Sequence, residues 1–406
     1  MTVHRESPQM ASLPNPRFGR GIFNVKIIIR AQYFLYFAIM GLYLPYFNLY
    51  LSHIQLTGFQ IGALSALRSV LLVIFPIVWG LVADRLQARR AVYILCNIIS
   101  ASIWAFYIYT TDFKWLLLIT LCYGIFYAPI ISFLESFTMD TLGSEKLRYG
   151  QTRVWGSIAF IAIVLLTGKL IDLYPVNLIL ILILSFGLIQ SAAAFGLPEF
   201  RIKKNPKQFG DMRKLTSSDS IMFLICACLM LMSHGAYYGF FSIHLEKLGF
   251  DATFIGICWA VASISEIVVM IRSETFFRRF SLENVLVFSF VVAGGRWFLL
   301  SVAVSGPVIL IVQILHAITY GAFHMASILY IDRMSSETSK TLGQAVNNAV
   351  SYGLGLMAGF FMSGYLFEIV GARMVFIISG CIALTGGAML KLYQTGFHNR
   401  RKSRHV

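Results

Sequence analysis

The sequence predicts an all-α membrane protein with twelve transmembrane helices in two six-helix halves. Three observations predict it. Of the 406 residues, 58% are hydrophobic and 13% charged, whereas a soluble domain carries about 25% charged residues. Mean hydropathy is +0.74 over the whole length, which leaves no room for a large water-soluble domain. Apolar stretches of about 20 residues, enough to cross a bilayer, recur along nearly the whole chain.

The spans, in order, are 28–51, 58–82, 91–110, 115–138, 153–172, 175–197, 220–244, 253–272, 284–303, 306–330, 342–366 and 372–394, numbered here helices 1 to 12. A polar segment, 1–27, precedes an N-terminal half, 28–197; a linker, 198–219, leads to a C-terminal half, 220–394, and a basic tail, 395–406. The linker is the longest polar interruption and carries Arg201, Lys203, Lys204, Lys207, Arg213 and Lys214. Its position divides the chain six plus six, the pattern of a repeated half. The first apolar run is too long for a signal-peptide core and lacks a small-residue cleavage site, so helix 1 is expected to stay as an anchor.

The net charge of +15 would point to nucleic acid in a soluble protein. Here the basic residues sit in short loops, and membrane orientation accounts for them. Loops after even-numbered helices, with both ends of the chain, hold Arg85, Arg89, Arg90, Lys146, Arg148, the linker cluster, Arg278, Arg279, Arg333, Lys340, Arg400, Arg401, Lys402 and Arg404. The opposite loops hold little beyond Lys114, Lys169, Lys247 and Arg373. Both termini are therefore expected in the cytoplasm of a bacterial-type inner (plasma) membrane, as an even helix count also requires.

Cys96, Cys122, Cys226, Cys228, Cys258 and Cys381 all fall in apolar spans. They are expected to be small core residues, with no disulfide framework and no metal site. No phosphate loop, nucleophile motif or soluble catalytic domain is present, which argues against an enzyme or a receptor.

The loop after helix 2 reads Gly80-Leu81-Val82-Ala83-Asp84-Arg85-Leu86-Gln87-Ala88-Arg89-Arg90. It resembles the signature loop between helices 2 and 3 of the major facilitator superfamily, and the resemblance implies the major facilitator fold. Gly80 would let two helices approach closely. Asp84 would pair with cationic loop groups such as Arg85 and Arg89 and latch one conformation. Gln87 stands where that family has glycine, so the turn is expected to differ.

A charge inside a bilayer costs at least about 2.5–3.5 kcal/mol, so intramembrane charges are candidates for function. Five polar positions stand out: Glu135 in helix 4, Arg153 opening helix 5, Glu266 in helix 8, Arg296 in helix 9 and His316 in helix 10. Arg153, Ser157 and Phe160 share a face of helix 5, and His234, Tyr238 and Phe241 a face of helix 7. Gln313, His316, Tyr320 and His324 fall within about 80° on helix 10. One such histidine is ordinarily a packing residue; stripes on several helices read as the lining of a central aqueous cavity.

The run Tyr149-Gly150-Gln151-Thr152-Arg153-Val154-Trp155-Gly156-Ser157-Ile158-Ala159-Phe160 resembles the helix-5 entry of the phenylpropionate-permease family. Arg296-Trp297 and the helix-10 run from Gln313 through His316 and Thr319 to His324 resemble that family too. It is a relative of the lactose-permease-type proton symporters. The resemblance implies a secondary active transporter, a proton-coupled importer of a small organic solute such as a phenylpropionate-like aromatic carboxylate. It would act as a monomer in the lipid bilayer, with the proton as coupling ion and no other cofactor. Glu135, Arg153 and Phe160 would hold the substrate, joined by Gln313, His316 and His324. Glu266, Arg296 and His316 would serve proton coupling. Thr319 stands where those symporters have a proton-carrying glutamate, so Glu266, Glu135 or His316 must carry the proton.

Alternatives stay open. The Glu135–Arg153–Phe160 set suits a sugar or nucleoside equally; Arg153 or Arg296 would grip a carboxylate by two parallel hydrogen bonds. Glu135 with Arg153 would alternatively be a structural ion pair, and Glu266 with Arg296 a latch between helices. A drug–proton antiporter is disfavoured, because such exporters resemble one another in a Gly-Pro motif in helix 5, and 153–172 contains no proline.

Overall fold

The computed structural model describes residues 16–143, 145, 148–199, 216–336 and 339–402. Lys146, the linker cations from Arg201 to Lys214 and the basic side chains of the tail lie outside the described residues. The apolar helices are Asn24–His53, Gly58–Leu86, Arg89–Ile108, Phe113–Leu142, Tyr149–Leu173, Leu178–Ala194, Ser218–Lys247, Ala252–Ile271, Leu282–Val302, Gly306–Met334 and Leu342–Thr395. The last is two helices joined at Gly371, whose φ of 75° and ψ of 168° break the helical path; only glycine adopts that conformation freely. Helices 1 to 12 are thus all present, helices 11 and 12 being 342–370 and 372–395.

Local chemistry explains many of the boundaries. Thr57 and Gln60 form a reciprocal capping box at the start of helix 2, and Asp112, Ser217, Asp251 and Ser281 cap helices 4, 7, 8 and 9 with side-chain oxygens. Helix 4 restarts at Pro129, where the missing N–H is tolerated. Two helices contain wider π turns, Ala317–Ala322 in helix 10 and Ala349–Gly355 in helix 11. Such turns are frequent at functional sites.

The two halves meet along helix 2 against helix 11 and helix 5 against helix 8. Glycine permits the approach: a Cβ on Gly62 would lie 2.5 Å from the Phe360 carbonyl oxygen, and one on Gly168 2.4 Å from that of Ala252. Gly80 does not play this part. A Cβ there would meet nothing within 4 Å, because the halves close at the other end of helix 2 and diverge toward Gly80.

Among the described residues, every hydrogen bond and ion pair between the halves lies toward that closed end. Tyr46 donates to the Ala252 carbonyl (3.3 Å), Asn48 to the Gly239 carbonyl (3.0 Å), and His53 pairs with Glu246 (2.6 Å). Asp172, ending helix 5, accepts from the Ala252 and Thr253 amides at 2.8 and 3.0 Å and from the Thr253 hydroxyl. Glu368, ending helix 11, accepts from the Gly58 amide at 2.6 Å. Helices 5 and 11 are equivalent in the two repeats, as are 8 and 2. The same device is therefore built twice: a carboxylate on the unsatisfied N–H groups and positive dipole end of the opposing helix.

At the other end, the signature loop stays within its own half. Asp84 accepts from Arg89 at 3.3 Å, Arg89 lies 3.6 Å from Asp140, and Arg85 is exposed. Gln87 does not change the turn as expected. It takes the left-handed conformation (φ 52°, ψ 35°) that glycine favours and donates its side-chain amide to the Asp84 carbonyl at 2.6 Å. The cysteines depart from expectation too: Cys96, Cys226 and Cys258 are buried, but Cys381 is exposed on helix 12.

Candidate functional site

The C-terminal half holds a chain of polar groups built on helices 8, 9 and 10. Arg296 is 0% exposed. Its Nε donates to the Val312 carbonyl (3.2 Å), Nη1 to His316 Nδ1 (2.7 Å) and Thr319 Oγ1 (3.1 Å), and Nη2 to Gln313 Oε1 (3.2 Å). Its guanidinium also sits 4.4 Å from the Tyr237 ring centre and 4.6 Å from that of Trp297. Arginine only donates, so His316 Nδ1 must accept and the ring hydrogen resides on Nε2. That nitrogen lies 2.8 Å from Glu266 Oε1. Glu266 itself is 23% exposed, so the chain runs from a buried cation to a carboxylate at an accessible surface.

This order corrects two expectations. Arg296 and Glu266 do not meet directly; His316 stands between them. Arg296 is also not free to grip a substrate carboxylate, since Val312, Gln313, His316 and Thr319 occupy its donors. Gln313 is consumed in the same network. Thr319, standing in place of a glutamate, serves as an acceptor for Arg296.

Two tyrosines extend the lining. Tyr320, in the helix-10 π turn, stacks on His316 (5.2 Å) and on His324 (5.9 Å). Tyr352, in the helix-11 π turn, pairs with His324 Nδ1 at 2.6 Å. His324 is thus held by Tyr352, and the two π turns face each other across these rings. Tyr238 approaches His316 Nε2 at 3.4 Å.

In the N-terminal half, Arg153 lies over the Phe37 ring at 3.9 Å, with Tyr33 at 5.7 Å. Glu135 is exposed and accepts from the Tyr149 hydroxyl at 3.4 Å. The structural ion pair between Glu135 and Arg153 is not made: no ion pair joins them among the described residues, which leaves both groups free to meet a third. Phe160 lies apart, 9% exposed, with its backbone against Gly41 of helix 1.

A charged residue midway along helix 2 escaped the sequence reading. Arg68, in helix 2, sets its guanidinium 3.6 Å from the Tyr43 ring centre. It makes no ion pair among the described residues. The signal that would have found it is the one used for the other five, a charge inside an apolar span. Among the described residues, no group of three or more His, Cys, Asp or Glu is arranged to hold a metal ion.

Twelve helices in two repeats, closed at one end over charged and aromatic side chains, define a transporter of the major facilitator fold, not an enzyme. Residues 26–378 match the MFS_1 like family, and the chain belongs to it. It is 29% identical over 370 residues to the "Probable 3-phenylpropionic acid transporter" of Escherichia coli (strain K12), covering 87% of this chain and 93% of that protein. It is 23% identical to the maltose permease of Geobacillus stearothermophilus over 90% of this chain and 94% of that one. The crystal structure of the nucleoside transporter NupG superposes with a TM-score of 0.81 at 18% identity, over 91% of this chain and 98% of that one.

Proposed function

We propose that the protein is a proton-coupled importer of a small organic acid, an aromatic carboxylate of the phenylpropionate kind. The observation that carries the reading is the placement of His316 between a permanent buried cation, Arg296, and an accessible carboxylate, Glu266. With Glu266 ionised and His316 neutral, this chain is electrically balanced. One added proton leaves it at +1 in a poorly solvating interior, which is costly unless an anion enters with it. Proton and anionic substrate therefore favour each other's binding, which is symport. Arg153, stacked on Phe37 and without a carboxylate partner, supplies a cationic and aromatic surface suited to the ring of such an acid.

Likeness to a transporter named for 3-phenylpropionic acid supports the carboxylate. A second reading, a sugar or nucleoside symporter, is favoured by Glu135 and Tyr149, which present a hydrogen-bonding pair to hydroxyl groups, and by likeness to proteins named for maltose and nucleosides. With the termini in the cytoplasm, the closed end is outside, and the arrangement is inward-facing. The protein would work as a monomer in a bacterial inner membrane. Uptake of labelled aromatic acids, sugars and nucleosides, with and without a protonophore, tests the reading. Accumulation of an acid that the protonophore collapses supports it; accumulation of a neutral solute alone would select the second reading.

A further inference from the structure

We infer that Arg68, with the tyrosines around it, is the receptor for the carboxylate group of the transported acid. The inference rests on the proposed function and deepens it, by assigning the anionic end of the substrate to a helix-2 site apart from Arg153.

Two buried donors beside helix 2 lack acceptors. A guanidinium carries five N–H donors and is always charged. Arg68 Nη2 is directed at the Met40 sulfur, 3.3 Å away, and Nε is buried with no partner. A thioether is a weak acceptor for a full positive charge. Beside it, the Tyr127 hydroxyl is also buried without a partner, on a residue only 2% exposed. Tyr36, Tyr43, Tyr123 and Tyr127 are the polar neighbours within electrostatic reach of Arg68. Buried polar groups are ordinarily satisfied, and each exception calls for an explanation. Arg68 Nε and the Tyr127 hydroxyl are thus two buried donors without acceptors on residues within electrostatic reach of each other, while Tyr43 lies against the guanidinium and Tyr36 against Tyr127. A carboxylate supplies what both lack: two oxygens for the guanidinium fork and a further lone pair for the hydroxyl.

Placement agrees. Arg68 points away from lipid: Ile74, Ile77, Val78 and Leu81 form the exposed face of helix 2, and at 100° per residue Arg68 lies roughly 130° round from it. It retains some accessible surface. Tyr36 is within electrostatic reach of Arg68, Arg153 and Glu135 together. Tyr127 stacks on Tyr36 (5.4 Å) and Tyr123 (4.8 Å), which fixes its hydroxyl in place.

The test is ligand binding to purified protein, read as thermal stabilisation across a titration. The probes are benzoate, phenylacetate, 3-phenylpropionate and the neutral 3-phenylpropanamide. The wild type should bind at least one acid and prefer it to the amide. Arg68→Gln should weaken acid binding roughly 10- to 100-fold, by loss of charged hydrogen bonds, while amide binding changes little. Tyr127→Phe removes one hydroxyl and no charge, and should weaken acid binding about threefold to tenfold; it serves if Arg68→Gln does not fold. Unchanged acid affinity in a folded Arg68→Gln, or in Tyr127→Phe where only that variant folds, overturns the inference and leaves the aromatic-acid reading standing. A wild type that binds no acid, or the amide as well as the acid, overturns both.

Discussion

Replacing Glu266 with glutamine separates proton coupling from substrate binding. Glutamine keeps the size of the side chain and an oxygen that can face His316 Nε2, which lies 2.8 Å from Glu266 Oε1. It imitates the protonated acid, and it can never release the proton. The structural cost is that of one charge-assisted contact at a site 23% exposed, about 1–3 kcal/mol, which a folded protein survives. The functional cost is larger. An acid carried with one proton moves without net charge, so the driving force is the pH gradient: 1.36 kcal/mol, or about tenfold accumulation, for each imposed pH unit. A neutral substrate carried with a proton would respond to voltage as well, at about 2.3 kcal/mol per 100 mV, roughly 50-fold. In reconstituted vesicles with an imposed pH gradient, the wild type should accumulate labelled acid about tenfold per unit, indifferent to a potassium–valinomycin potential. Glu266→Gln should reach only equal concentrations on both sides, yet exchange labelled for unlabelled acid at a rate near that of the wild type. Accumulation by Glu266→Gln above the external concentration would refute the assignment and turn attention to Glu135.

Three further outcomes are expected. Arg153→Lys and Glu135→Gln should each weaken substrate binding tenfold or more in folded protein, because lysine lacks the planar guanidinium that stacks on Phe37 and glutamine lacks the charge of Glu135; wild-type affinity in both, by equilibrium dialysis, would remove them from the site. In a background without native cysteines, where exposed Cys381 is replaced, cysteines beside Lys114, Lys247 and Arg373 should react with an impermeant maleimide added from outside, and labelling only after permeabilisation would reverse the orientation. Asp172→Asn and Glu368→Gln each weaken an anion-to-helix-end contact at the closed end, worth about 0.5–2 kcal/mol. Spin labels at Lys169→Cys and Leu248→Cys should then show a longer-distance population that grows severalfold in either variant, and an unchanged distribution would mean these contacts do not hold the end shut.

The fold was legible because a bilayer imposes length: a span must be apolar for about 20 residues, and each predicted helix corresponds to one in the structure. The misses have local causes. Gly371 joins helices 11 and 12 with a single non-helical residue, where hydropathy alone leaves a wider gap. The π turns at Ala317–Ala322 and Ala349–Gly355 do not announce themselves, since the apolar period of a helix survives one widened turn. Gly80 lies in a signature loop, yet the close approach falls at Gly62 and Gly168, because which end is shut is a property of the conformation and not of the motif. For the site, the types of residue were readable and their order was not. Nothing in the spacing of Glu266, Arg296 and His316 says that the histidine stands in the middle. Arg68 needed no new rule, only the bilayer-charge argument applied to helix 2.

Proton movement on substrate addition tests the account most directly. A pH electrode follows lightly buffered, de-energised vesicles containing the protein, oriented with the closed end outward, when 3-phenylpropionate is added outside. Protein-free vesicles measure the acid that crosses the lipid unaided. After that subtraction, the account predicts alkalinisation of the medium with one proton entering per labelled acid taken up, and none with Glu266→Gln. Protein-dependent uptake of the acid with no accompanying alkalinisation would contradict it.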